Sequence, residues 1–359
     1  MTGSTRDGAV PTAGQTADST LNVLVAGTFE ADDLTKIEAA GPSVRLYYRP
    51  DLLPEAEYGS DHDGHPRDLT EDQLATWRRL LAVADVTLGI DWWDPAGMRE
   101  NCPRLRWIQG VSSGMAGHLA KAGLSIDGLT VTTAAGVHGG PLAEFALTGI
   151  LHFVKNVPML REAQRGHRWD RHVTPQLYGR RALVVGLGAI GARTVALLDA
   201  LGVEVWGAGR PGRARDVPGM AGYVEYTRLA EALPETDVLV LAVPLTAETK
   251  GLVGERELTA LRPGAIVVNM GRGGVLDEDA LVAALDAGRL RGAVLDVFAT
   301  EPLPTGSPLW DRSDVLMSPH SAAAADAENS RIVTLFADNL RRYLDGRPLR
   351  NVYDPERGY

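Results

Sequence analysis

The sequence predicts an α/β protein of two domains, and three observations carry that prediction. Residues 182–185 form a short apolar run leading into Gly186-Leu187-Gly188-Ala189-Ile190-Gly191, and a helical pattern, ARTVALLDALG, follows at once. An apolar run with branched residues before such a turn reads as a parallel strand buried on both faces. On either side of it, apolar runs alternate with helical patterns, the signature of a parallel sheet with crossover helices. The 359 residues are also too many for one small core.

Taken in order, residues 1–20 are small, polar and bear Pro and Gly, so they read as a disordered tail. The tail has no apolar core of the kind a secretory signal needs. Strands are expected at 21–26 and 44–48, with a polar helix near 32–40 between them. The loop 50–68 carries Asp61, His62, Asp63 and His65. No second ligand cluster supports a metal there, and a solvated loop is the better reading. A helix over 71–84 and strands at 86–90 and 105–109 follow.

Gly110-Val111-Ser112-Ser113-Gly114 then matches the G-x-S-x-G turn of serine hydrolases, between strand and helix, with Asp and His later in the chain. That rival would make Ser112 a nucleophile, but it leaves the glycine turn at 186–191 without a task. A strand at 131–133, one long helix over 142–164 and a polar arm over 165–176 come next. Further strands are expected at 182–185, 203–206, 238–242, 265–269, 292–296 and 315–317, enough for one doubly wound nucleotide domain. A last helix over 325–344 stops before Gly346 and Pro348.

Composition narrows the function classes. Forty-five per cent hydrophobic and 23% charged residues are ordinary for a globular chain. A net charge of −10 argues against nucleic acid or an anionic membrane as partner. No apolar run approaches the roughly 18 residues that span a bilayer. The single cysteine, Cys102, allows no internal disulfide and reads as a structural thiol. A cytoplasmic protein is expected.

The glycines of the turn have three tasks in a dinucleotide site: a tight turn at Gly186, close approach of a pyrophosphate at Gly188, and close helix packing at Gly191. The helix that starts at Ala189 and Ile190 aims free N–H groups and a positive dipole end at the phosphates. A merely structural βα turn is the alternative. An acid that accepts the ribose hydroxyls should stand near position 209 or 210, yet those residues are Gly209 and Arg210. With Arg213 and Arg215 just beyond, Arg210 offers a guanidinium fork to a 2′-phosphate, which favours NADP(H) over NAD(H). Val243 and Pro244, past the end of the expected strand 238–242, are counted with the cofactor-binding residues.

Three later segments each place a charged or titratable residue after a strand: Arg272, then Asp296 and Glu301, then His320. Ligands bind outside the carboxyl ends of such strands. Reduction of a 2-oxo acid needs these residue types. An arginine holds the carboxylate and polarises the ketone, a histidine gives the oxygen its proton, and a carboxylate fixes the imidazole tautomer.

The runs GLGAIG, DVLVLAVPLTAETKGLVGERELTALRPGAIVVNMGRGGVLDEDAL, GAVLDVFATEPLP and SPH resemble the D-isomer-specific 2-hydroxyacid dehydrogenase family, glyoxylate/hydroxypyruvate reductases in particular. The resemblance runs from about 105 to 351 and more loosely from 21. It implies Arg272 as substrate-binding arginine, Glu301 as carboxylate partner and His320 as acid/base. It further implies that Asp296 contacts the nicotinamide carboxamide, that Arg210 marks NADP preference, and that Ser112, Ser113 and Gly114 hold the substrate carboxylate through backbone N–H groups. The implied fold is a flavodoxin-like substrate domain, 21–140 plus 320–359, with a Rossmann domain, 141–319, inserted. Members are usually dimers, paired through the nucleotide domain, and a homodimer is expected. Some relatives act as corepressors, so a nucleotide-sensing, corepressor-like binding protein is another reading; Arg272, Glu301 and His320 argue against pure binding. Met115 and Ala116 depart from the family's Gly-x-Asp, and SAAA after His320 departs from its apolar-Ala-Gly, so the substrate stays open. Trp310 either lines the substrate pocket or packs.

Overall fold

Several of the apolar runs become strands without a solvent face; every residue of Val238–Leu241 and Ala265–Asn269 is buried. The computed structural model describes residues 20–62 and 64–355. Most of the expected tail, 1–19, and Asp63 therefore lie outside the described residues. The described residues form two compact units, one from those up to Val137 together with those from Ala325 on, the other from His138–Ala324.

The first unit holds β1 (Leu21–Val25), β2 (Val44–Tyr47), β3 (Val86–Leu88), β4 (Trp107–Gln109) and β5 (Thr130–Thr132). They lie parallel in the order β2-β1-β3-β4-β5, the flavodoxin-like arrangement. The helix Glu328–Leu344 returns from the far end of the sequence to complete its core. Its residues Ile332, Val333, Phe336 and Leu340 recur at helical spacing and are fully buried, each such side chain contributing about 1.5–3 kcal/mol. Phe336 lies 5.3 Å, ring to ring, from Trp107 on β4.

The second unit holds β6 (Arg181–Val185), β7 (Glu204–Gly209), β8 (Met220–Glu225), β9 (Val238–Leu241), β10 (Ala265–Asn269), β11 (Leu290–Leu295) and β12 (Val315–Met317). All neighbours are parallel, in the order β12-β11-β10-β9-β6-β7-β8. Counted from β6, this is the Rossmann order 3-2-1-4-5-6 with a seventh strand added, and the order reverses between β6 and β9. Residues 320–324 go with this unit, where His320 N–H donates to Asp296 O at 2.9 Å.

Two expectations are corrected. β8 was not anticipated: it is an edge strand, paired only with β7, and none of its residues is fully buried, so it lacks a continuous apolar run. The single helix expected over 142–164 is two helices, Gly139–Val154 and Val157–Arg165. The break falls at Asn156, whose φ of 53° is left-handed, a conformation asparagine tolerates better than most residues.

Candidate active site

The three glycines after β6 have three different surroundings. Gly186 has φ 98°, and a Cβ there would lie 2.5 Å from Ala242 O. At Gly191 a Cβ would lie 1.8 Å from Gly186 O, so helix and turn meet backbone to backbone. Around Gly188 nothing lies within 4 Å of an added Cβ. Gly188 also precedes the helix Ala189–Ala200, and no side chain caps that helix. Open backbone at an uncapped helix start fits an anion such as a dinucleotide pyrophosphate. Ala189 and Ile190 open the first turn of this helix. Val243 is buried, and the Pro244 carbonyl accepts from the Thr249 hydroxyl at 2.6 Å, which shapes the loop after β9.

β7 runs on to Gly209 and delivers Arg210 at its carboxyl end. The missed strand β8 holds this loop: the Tyr223 hydroxyl donates to Arg210 O at 2.9 Å, and Glu225 accepts from Gly212 N–H at 2.9 Å. Arg215 donates to Leu187 O, inside the glycine turn, at 3.0 Å. The Arg210 guanidinium lies 3.4 Å from Glu248, a residue that sequence reasoning passed over.

Arg272 follows β10 by three residues. Asn269, buried at the strand's end, ties the turn: it accepts from Gly271 N–H at 3.1 Å and donates to Arg272 O at 3.2 Å. The Arg272 guanidinium donates to Gly271 O at 2.7 Å. Neither Asn269 nor its role was legible in the sequence, where it reads as one more strand residue.

Glu301 and His320 are in direct contact, with Nδ1 and Oε2 2.7 Å apart. The other carboxylate oxygen of Glu301 accepts from Phe298 N–H at 2.9 Å. Glu278 accepts from Ala299 N–H at 2.5 Å and holds the same loop from the start of the helix Glu278–Asp286. His320 has φ 54°, a strained value for a residue with a Cβ. Asp296 stabilises it: its carbonyl accepts from His320 N–H, and its carboxylate accepts from Ala322 N–H at 2.9 Å. Asp296 is 2% exposed, so both bonds are shielded from water. With Nδ1 on the carboxylate, Nε2 is the ring atom that can exchange a proton with a ligand.

Ser112, Ser113 and Gly114 belong to the first unit, in the turn between β4 and the helix Met115–Ala122. The Ser112 hydroxyl accepts from Gly114 N–H at 3.0 Å, a local turn. Non-glycine residues with positive φ among the described residues are Asn156, His167, His320 and Asn351, so Ser112 lacks a left-handed backbone. Asp61 is likewise engaged in its own loop, accepting from Glu57 N–H and Gly64 N–H. Trp310 is half exposed, its indole N–H on Pro304 O at 2.9 Å.

Comparison with known proteins meets this geometry. The family model for the NAD-binding domain of D-isomer-specific 2-hydroxyacid dehydrogenases matches residues 147–322. A glyoxylate reductase of Aeropyrum pernix is 33% identical over 266 residues, 72% of this chain and 78% of the relative. Another, of Korarchaeum cryptofilum, is 32% identical over 85% of this chain and 94% of its own. The chain belongs to the D-isomer-specific 2-hydroxyacid dehydrogenase family. A crystal structure of a D-isomer-specific 2-hydroxyacid dehydrogenase from Xanthobacter autotrophicus, in complex with NADPH and MES, superposes with TM-score 0.73 at 30% identity, covering 95% of this chain and 100% of that one. As a 2-hydroxyacid dehydrogenase, the protein is an NAD(P)-dependent oxidoreductase that interconverts 2-oxo and 2-hydroxy acids. Among the described residues of this dehydrogenase, no helix is long and apolar enough to cross a membrane.

Proposed function

We propose that the chain reduces a small 2-oxo acid of the glyoxylate or hydroxypyruvate kind to the D-2-hydroxy acid, with NADPH preferred over NADH. The observation that carries this reading is the His320–Glu301 pair at 2.7 Å on the same unit as the glycine turn. The reduced nicotinamide, when bound, supplies a hydride to C2 of the substrate. His320 gives its Nε2 proton to the carbonyl oxygen, and Glu301 balances the charge on the ring and keeps Nδ1 protonated. Arg272 pairs with the substrate carboxylate through its guanidinium fork. Asp296 holds the backbone of His320, and the contact with the nicotinamide carboxamide is assigned to it on the resemblance. The Ser112–Gly114 turn keeps the role the resemblance implies, backbone N–H groups for a substrate carboxylate.

The glycine turn and the helix after it hold the pyrophosphate, and Arg210 with Arg215 holds the 2′-phosphate. The absence of a carboxylate at 209 and 210 supports NADP(H), as does the NADPH bound to the Xanthobacter relative. Glyoxylate reductases among the relatives support the substrate class. The working form is a homodimer. Trp169 and Val173, 88% and 97% exposed on the arm that follows the helix Val157–Arg165, are apolar side chains that a second copy would cover.

A panel of 2-oxo acids assayed with NADPH and with NADH tests the reading. Turnover of glyoxylate or hydroxypyruvate with a higher kcat/KM for NADPH is expected. A preference for NADH would remove the cofactor assignment, and no turnover of any 2-oxo acid would remove the substrate assignment.

A further inference from the structure

β7 and β9 flank β6 in the sheet, so the loops after them border the glycine turn from its two sides. Arg210 follows β7, Glu248 lies in the loop after β9, and their side chains meet with Nε and Oε2 3.4 Å apart. The ion pair therefore spans the carboxyl end of β6, where the turn begins. The Arg210 carbonyl accepts from Tyr223, and the Arg215 guanidinium sits on Leu187 O inside the turn. Glu248 is a carboxylate ion-paired with Arg210.

We infer that Glu248 is a specificity-determining residue: it competes with the 2′-phosphate for Arg210 and so weakens NADP(H) relative to NAD(H). The inference rests on the reading of Arg210 as the phosphate-binding residue. The two side chains are 30% and 64% exposed, and such pairs are weak, so a phosphate dianion displaces the carboxylate. Displacement still costs the existing pair and leaves a carboxylate facing the phosphate. NAD(H) carries no charge at the ribose 2′ position and leaves the pair intact. Glu248 thus keeps the site usable by both cofactors.

Titration calorimetry of the full chain with NADP+, NAD+ and 2′,5′-ADP, on wild type and on Glu248→Gln, Arg210→Gln and the double variant, provides the test. Glu248→Gln is expected to tighten NADP+ and 2′,5′-ADP by about 2- to 5-fold and to leave NAD+ unchanged. The gain shrinks as salt rises and vanishes when Arg210 is also replaced. An unchanged or weakened NADP+ affinity in Glu248→Gln, or an equal gain for NAD+, overturns the role of Glu248 alone. If Arg210→Gln leaves NADP+ binding unchanged, the phosphate-binding reading falls and takes the Glu248 role with it.

Discussion

A Cβ placed on Gly273 would lie 1.9 Å from the carbonyl carbon of Phe298. The loop that carries Arg272 and the loop that leads to Glu301 thus touch backbone to backbone, with no room for a side chain between them. Gly273→Ala must push them apart. It is expected to lower stability by about 2 kcal/mol or more, since overpacking against backbone cannot relax through a rotamer. Chemical denaturation and steady-state kinetics check this together. A variant with wild-type midpoint and wild-type kcat would show that the contact is dispensable.

The Glu301–His320 pair makes a separable prediction. His320→Ala removes the proton donor and is expected to lower kcat by about 10²- to 10⁴-fold, while the dissociation constant for NADPH stays near wild type. Glu301→Gln keeps an oxygen acceptor for Nδ1 but not the charge, and a smaller loss is expected. Stopped-flow hydride transfer with cofactor-binding titrations distinguishes these outcomes; unchanged turnover in His320→Ala ends the proton-transfer role.

Cys102 gives a pH prediction. Burial, and to a smaller extent the nearby Asp91 charge, pushes its thiol up to about 12. In the unfolded chain it titrates near an ordinary value of about 8.5. Between those values the unfolded state has released its proton and the folded state has not, so this contribution to stability is complete below about 8.5 and is lost as pH rises toward 12. Cys102 is 1% exposed, so a disulfide reagent at pH 8 should modify no thiol in the native protein and one after unfolding. Rapid native labelling would contradict the buried placement.

The arm bearing Trp169 and Val173 predicts the assembly state. Trp169→Ser combined with Val173→Asp should halve the mass measured by light scattering at micromolar concentration. The helix Gly139–Val154 and the sheet it covers do not depend on either residue, so the circular dichroism spectrum should persist. A wild-type protein already monomeric at that concentration removes the dimer proposal.

Much of this was legible in the sequence because the signals are local. A buried parallel strand reads as an apolar run, and the turn after β6 announces itself because all three glycines fall within six residues. Arg272, Glu301 and His320 stand just beyond such runs. What stayed hidden depends on partners distant in the chain. β8 is half-wet and apolar only in part. Glu278 and Glu248 matter through a backbone N–H and a guanidinium that no spacing rule brings near them. Asn269 acts on a turn only two and three residues on, but its place at the end of an apolar run masks that role. The split of the long helix at Asn156 hid for the opposite reason: apolar periodicity continues across the break.

The return of the helix Glu328–Leu344 to the first unit has a consequence for biosynthesis. While the ribosome is still adding the second unit, β1 to β5 are already outside the tunnel, with Trp107 lacking the ring of Phe336 that later covers it. The second unit is a continuous stretch and can close as soon as β12 emerges. The first unit cannot close until some thirty further residues are added. The amino-terminal segment of this protein is therefore the last to mature, and during that interval it is the part that a chaperone or a protease would meet.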